Sequence, residues 1–198
     1  MAIREDREYR NIALTEFRAE KEEDKYIVEG YATTFDDPYV LFGDGDKEYK
    51  EQISKDAFAE ADMKDVVFLF NHEGMVYART KNDSLELSTD DHGLKVRANL
   101  GLTEAARQMW ETIKAGLVDQ MSWAFTVSED KYDKKARLRT ITKIKKIFDV
   151  SAVTFPANPK TEIATRSYFD GVIERERAER LELERQRLSI KLKQIKGE

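Results

Sequence analysis

At 198 residues, with 40% hydrophobic and 37% charged side chains, the chain is long enough for one domain with a real core, diluted by a very polar segment. A net charge of −5 argues against a general nucleic-acid binder, which carries a basic excess, and no apolar run approaches the roughly 20 residues that span a bilayer. With no cysteine, thiol nucleophiles, thiolate metal sites and a disulfide framework are excluded, and a reducing, intracellular setting fits.

The opening MAIREDREYR has no apolar core, so it does not read as a secretory signal. Residues 1–24 are mostly charged apart from 12–17, and a strand could begin there. Residues 26–35, YIVEGYATTF, are β-branched and aromatic and predict a strand. Asp36-Asp37-Pro38 and Gly43-Asp44-Gly45-Asp46 mark loops. Ser54 is a candidate cap for a short helix through Ala61, with Phe58 and Ala61 facing inward. The run 66–70 predicts a buried strand leading to His72. Residues 84–90 and 93–100 predict a hairpin turning at Asp90-Asp91-His92-Gly93.

Residues 103–115 predict a helix, with Thr103 as N-cap and Gly116 just past its end. Ala106, Met109, Trp110, Ile113 and Leu117 recur at helical spacing as one buried face. Strands follow at 120–128 and 137–155, separated by a polar loop at 129–135, and Pro156 and Pro159 close the last one. From about residue 167 the composition changes to charge and aliphatic side chains. Ala178, Leu181, Arg185, Leu188, Leu192 and Ile195 step by three and four, a coiled-coil-like stripe broken by one Arg. This predicts a protruding helix, either docking on a partner or on itself, or simply solvated.

A nucleophilic hydroxyl needs a base that titrates near neutrality, and imidazole is the usual one. The chain has two histidines, and His72 ends the run Val66-Val67-Phe68-Leu69-Phe70-Asn71. In 121–127, MSWAFTV, period-two alternation puts Met121, Trp123, Phe125 and Val127 on a bulky face and Ser122, Ala124 and Thr126 on a small polar one. Ser122 is therefore a candidate nucleophile on a rigid strand, or a serine that only completes a sheet hydrogen bond. Asp149 lies in the apolar string IFDVSAVTF. Burying its charge requires a partner, which a histidine supplies; the alternative is a surface acid paired with Lys145 or Lys146. Ser151 shares its face and is the rival nucleophile, though a structural role suits it better. His92 reads as a solvent-exposed turn residue. Neither histidine has metal-site spacing, the acidic loop at 43–48 lacks a calcium-loop pattern, and no phosphate-binding glycine pattern occurs.

Three stretches together resemble the prohead (procapsid maturation) serine proteases of tailed bacteriophages. They are the apolar run with NHE at 71–73, followed by Ala78-Arg79-Thr80 and SLELSTDDHGLKVRANL; then IKAGLV leading into MSWAFTV; then IFDVSAVTFPANPKTEI. Their order and intervals match over roughly residues 26–166. The resemblance implies an α+β fold, a mostly antiparallel β-barrel with surrounding helices similar to the herpesvirus assembly proteases, here with a long C-terminal helix. Together with the change in composition near residue 167, it gives a protease domain over 10–166 and a charged helical tail over 167–198. It further implies His72 as general base, Ser122 as nucleophile and, as third member, the acid before the VSxVTxPA stretch. That acid is normally Glu and is Asp149 here; the herpesvirus enzymes use a second histidine in a comparable strand, and this chain has none there. Two positions depart from the pattern: Ala78, where the family often has Gly, and Asp56-Ala57-Phe58, where it has Gly-Ala-Phe.

The activity so implied is cleavage of scaffold segments of the major capsid protein, and of the protease itself, inside the assembling procapsid in the bacterial host cytoplasm. No cofactor, metal, nucleic acid or membrane is expected to take part, and a homodimer fits. The competing readings are a non-catalytic capsid assembly protein with a protease-like fold and a small-molecule serine hydrolase. The α/β-hydrolase form of the latter is disfavoured because no Gly-x-Ser-x-Gly elbow surrounds Ser122.

Overall fold

Two long paired strands organise the protein: β10 (Gln120–Asp133) and β11 (Leu138–Val153), which run antiparallel. A computed structural model describes residues 7–13, 18–22, 25–44, 47–154 and 159–196. In the first sheet β10 also takes β1 (Glu8–Ala13) on its other edge. The far edge of β11 is long enough to serve two parallel partners. Its first part pairs with β5 (Lys47–Ile53), which forms a hairpin with β4 (Tyr39–Asp44). Its last part pairs with β6 (Val67–Phe70), which turns back into β7 (Glu73–Arg79). The second sheet is antiparallel, in the order β2 (Arg18–Glu22), β3 (Lys25–Thr34), β9 (Gly93–Asn99), β8 (Leu85–Thr89). The architecture is α+β and mostly strands. Among the described residues the strand pairings form these two sheets and do not close into a ring.

Both sheets feed one core. Val28, Ala32, Leu94 and Val96 from the second sheet join Trp123, Phe125, Ile144 and Val150 from the first. The expected hairpin over 84–100 is present, and Gly93 is required in it: a Cβ there would meet the Thr33 carbonyl oxygen at 2.0 Å. Helix α1 (Glu104–Lys114) starts where expected, with Thr103 Oγ1 accepting from the Ala106 N–H at 3.1 Å. Trp110 Nε1 donates to the Ile27 carbonyl at 3.0 Å, tying the helix to the second sheet. Leu117 does not join the buried face. The helix ends three residues earlier and Gly116 turns the chain with φ +71°, leaving Leu117 71% exposed.

Other expectations need correction. Residues 39–44 and 47–53 form a hairpin where only loop signals stand out; its strand β5 carries an exposed Glu48 and a fully buried Glu51 that pairs inside the protein. The helix expected over 54–61 is a single 3-10 turn, Lys55–Phe58, and the Ser54 side chain makes no capping bond. Strand β10 runs on to Asp133 through the expected loop, held by cross-strand pairs such as Lys143 Nζ to Glu129 at 2.8 Å. β11 ends at Val153; the closing Pro156, and residues 14–17 of the expected 12–17 segment, lie outside the described residues.

The chain divides into two units, Met1–Thr161 and Glu162–Glu198. The second is the body of helix α2 (Pro159–Lys196), which opens with Pro159 in the first turn, where a missing N–H costs nothing. Leu181, Leu183, Leu188 and Ile190 are each more than half exposed along it. Among the described residues no helix is long and apolar enough to cross a membrane.

A buried ion cluster clamps the first sheet across its width. Glu51 on β5 has no exposed surface and accepts from Arg10 of β1, from Arg139 of β11 at 3.0 Å and from the Tyr39 hydroxyl of β4 at 2.6 Å. Arg139 also reaches Asp130 of β10 at 2.7 Å and Glu8 at 2.7 Å and 3.0 Å. Removing one member of such a cluster leaves uncompensated buried charge. Glu51→Ala should therefore cost about 3–5 kcal/mol in urea denaturation; a loss below about 1 kcal/mol would show that the cluster does not hold the sheet. Burial pushes the Glu8 carboxyl up, but the Arg10 and Arg139 charges outweigh it and hold it below its ordinary value of 4.5. Its contribution is thus complete above that value and is lost as pH falls below it. Glu8→Gln should flatten the acid side of a stability–pH curve.

Candidate active site

The site is built on one face of β10, β11 and the hairpin that follows β6. In register, Ser122 faces Ser151 and Ala124 faces Asp149, so all four project to the same side of the sheet. A bulge sets the acid's direction. The ladder passes from Ala124–Asp149 to Phe125–Ile147, leaving Phe148 without a partner, so Ile147 points into the core while Asp149, two residues on, points to the site.

His72 comes from a two-residue turn. Phe70 pairs with Glu73, and the residues between them, Asn71 and His72, both have left-handed backbones (φ 51° and 61°). This is the type I′ hairpin geometry, for which Asn is a preferred first residue and His a tolerated second one. The turn is pinned to the end of β11: Asn71 N–H donates to the Ala152 carbonyl at 3.0 Å, and the Asn71 amide bonds Thr154 at 3.3 Å through both its oxygen and its nitrogen.

So held, the imidazole bridges the two strands. His72 Nδ1 lies 2.6 Å from Asp149 Oδ1, and Nε2 lies 2.6 Å from Ser122 Oγ. Ser122 is fully buried, and the His72 and Asp149 side chains are each 6% exposed. With Asp149 ionised, Nδ1 carries the proton and donates to it, which leaves the Nε2 lone pair to accept from the serine hydroxyl. The Arg10 carbonyl of β1, at 2.9 Å, is an alternative acceptor for the same single hydrogen. The Tyr9 ring packs edge-on against the imidazole, centroids 4.8 Å apart. A hydroxyl, a base and a carboxylate in this order meet the requirement for nucleophilic acyl transfer.

The structure thus brings His72, Ser122 and Asp149 together. Asp149 is 4% exposed and is not a surface acid; Lys146 pairs instead with Asp62 at 3.1 Å. The small face of β10 is no more exposed than the bulky one, since Ser122, Ala124 and Thr126 are all buried. Ser151 lies on the Nδ1 side of the ring, 3.2 Å from that nitrogen, and donates to Asp149 Oδ1 at 2.8 Å. His92 is exposed at the β8–β9 turn with its ring against Tyr31, and takes no part. Among the described residues no three His, Asp or Glu side chains group as a metal site would need. Sequence reasoning did not single out Tyr9, the Arg10 carbonyl or Asn71. Only Asn71 left a readable signal, an Asn-His pair at the end of an apolar run.

A β-branched residue is strained at the left-handed Asn71 position. Asn71→Val should cost about 1–2 kcal/mol in urea denaturation and Asn71→Gly well under 1 kcal/mol; equal losses would remove the turn from this account.

A family model described as caudovirus prohead serine protease matches residues 14–172. The prohead protease of Enterobacteria phage HK97 is 34% identical over 148 residues, which cover 74% of this chain and 62% of that protein. No solved structure matches. The arrangement around His72 therefore stands in a chain that belongs to the caudovirus prohead serine protease family.

Proposed function

We propose that the protein is a serine endopeptidase of capsid maturation in which Ser122 is the nucleophile, His72 the general base and Asp149 the carboxylate that orients His72. The observation that carries this reading is the pair of 2.6 Å contacts made by the two nitrogens of one imidazole. His72 Nε2 takes the Ser122 proton as Oγ attacks a peptide carbonyl carbon. The same proton then passes to the leaving amine, and an acyl-enzyme forms. Water, deprotonated by His72, cleaves that ester and restores the serine. Asp149 keeps the proton of neutral imidazole on Nδ1 and stabilises the imidazolium of each transition state. Because Ser122 has no exposed surface, attack requires the chain covering it to move.

The substrates on this reading are scaffold segments of the capsid protein and the protease itself, inside the prohead in the host cytoplasm. The protease domain spans 10–166. Its two sheets share one core. The tail from 167 to 198 presents its exposed leucines to helical scaffold or to a second copy. A purely architectural role is the weaker reading, since a fold without chemistry has no use for a buried carboxylate paired with a histidine that reaches a serine.

A fluorophosphonate probe should label Ser122, located by peptide mass spectrometry, and Ser122→Ala should abolish labelling. Asp149→Asn should slow labelling by about 10⁴-fold, since the imidazole then loses its fixed tautomer. When the protein is co-expressed with its capsid protein, Ser122→Ala should leave full-length precursor in the shells. Normal processing by that variant would leave only the architectural role.

A further inference from the structure

We infer that Ser151 is a positioning residue of the same site, fixing the Asp149 carboxylate against the Nδ1 side of His72; this rests on the catalytic reading of Ser122 and His72 given above. Ser151 is fully buried and stands directly across the ladder from Ser122, so the two hydroxyls flank one imidazole. Their surroundings give them different work. Ser122 Oγ faces Nε2, the nitrogen whose lone pair is free. Ser151 Oγ faces Nδ1, whose proton is already committed to Asp149, and its own hydrogen is directed to Asp149 Oδ1 at 2.8 Å. A hydroxyl so placed meets a carboxylate rather than the free lone pair of an imidazole, so it lacks the base that activates a serine near neutrality and is not the nucleophile.

Its effect is on the carboxylate. Rotation about the Cβ–Cγ bond of aspartate is broad and two-fold, so the geometry of the chain alone does not select which oxygen meets the imidazole. Ser151, two residues along β11 on the same face, donates to the oxygen that also accepts from His72, and so holds Oδ1 in place. It also supplies a second hydrogen bond to a carboxylate that is 4% exposed, and such a charge needs donors in place of water. The contribution is largest as the imidazolium forms, when a displaced oxygen would weaken the Nδ1–H bond.

The test uses the full chain and fluorophosphonate labelling, followed as rate against probe concentration. Ser151→Ala should lower the maximal labelling rate by about ten- to a hundredfold, the worth of one hydrogen bond to a charged group, with the half-saturating probe concentration unchanged. Ser151→Thr, which keeps the hydroxyl, should recover most of the rate. In a His92→Gln background His72 is the one remaining imidazole, and its low-field Nδ1 proton resonance should shift and exchange faster in Ser151→Ala. An unchanged maximal rate overturns the inference. So does a lower rate with an unmoved resonance and a lowered melting temperature, which marks a packing effect. Labelling that persists in Ser122→Ala overturns the assignment of the nucleophile instead, and a label found on Ser151 overturns both.

Discussion

The site depends on the register of three strands. β10 brings the hydroxyl, β11 the carboxylate, and the hairpin after β6 the imidazole, and β11 lies between the other two. A shift of one residue in either ladder would turn the corresponding side chain to the opposite face. His72 is 50 residues from Ser122 and 77 from Asp149 along the chain, so no local preference brings them together. Register does, helped by the bulge at Phe148 and by the Asn71 bonds to Ala152 and Thr154 that hold the turn to the end of β11.

The opposite face of the same sheet supplies rigidity. Arg10, Glu51 and Arg139 are buried there and, with Glu8, Tyr39 and Asp130, join five strands through charge-assisted hydrogen bonds. The carbonyl of Arg10 is an alternative acceptor for the Ser122 hydroxyl. One residue of β1 therefore serves the cluster with its side chain and the site with its backbone. The first strand, in a region that reads as little more than charge, in this way contributes both to the buried cluster and to the geometry around Ser122.

Much of the fold was legible where one face of an element is buried and the other is wet. The β8–β9 hairpin and α1 with its Thr103 cap follow from period and turn chemistry alone. The β4–β5 hairpin was not, because its inward positions include Glu51, whose charge is matched only by arginines from distant strands. β7 was missed for another reason: its first residues are exposed, so no alternation marks them. The extension of β10 beyond residue 128 is held by cross-strand ion pairs, which no single segment displays.

Composition and local pattern by themselves determined that a histidine ends an apolar run, that no thiol can stand in for a hydroxyl, and that an acid sits within an apolar strand. They left open which of two serines meets the imidazole, and whether the acid faces a histidine or a lysine. Tertiary structure decided both. Ser122 lies on the Nε2 side and Ser151 on the Nδ1 side, while a bulge turns Asp149 inward. The reason is physical: a period of two says which residues share a face only while the ladder is regular, and the bulge and the strand register are set by contacts between segments far apart in the chain.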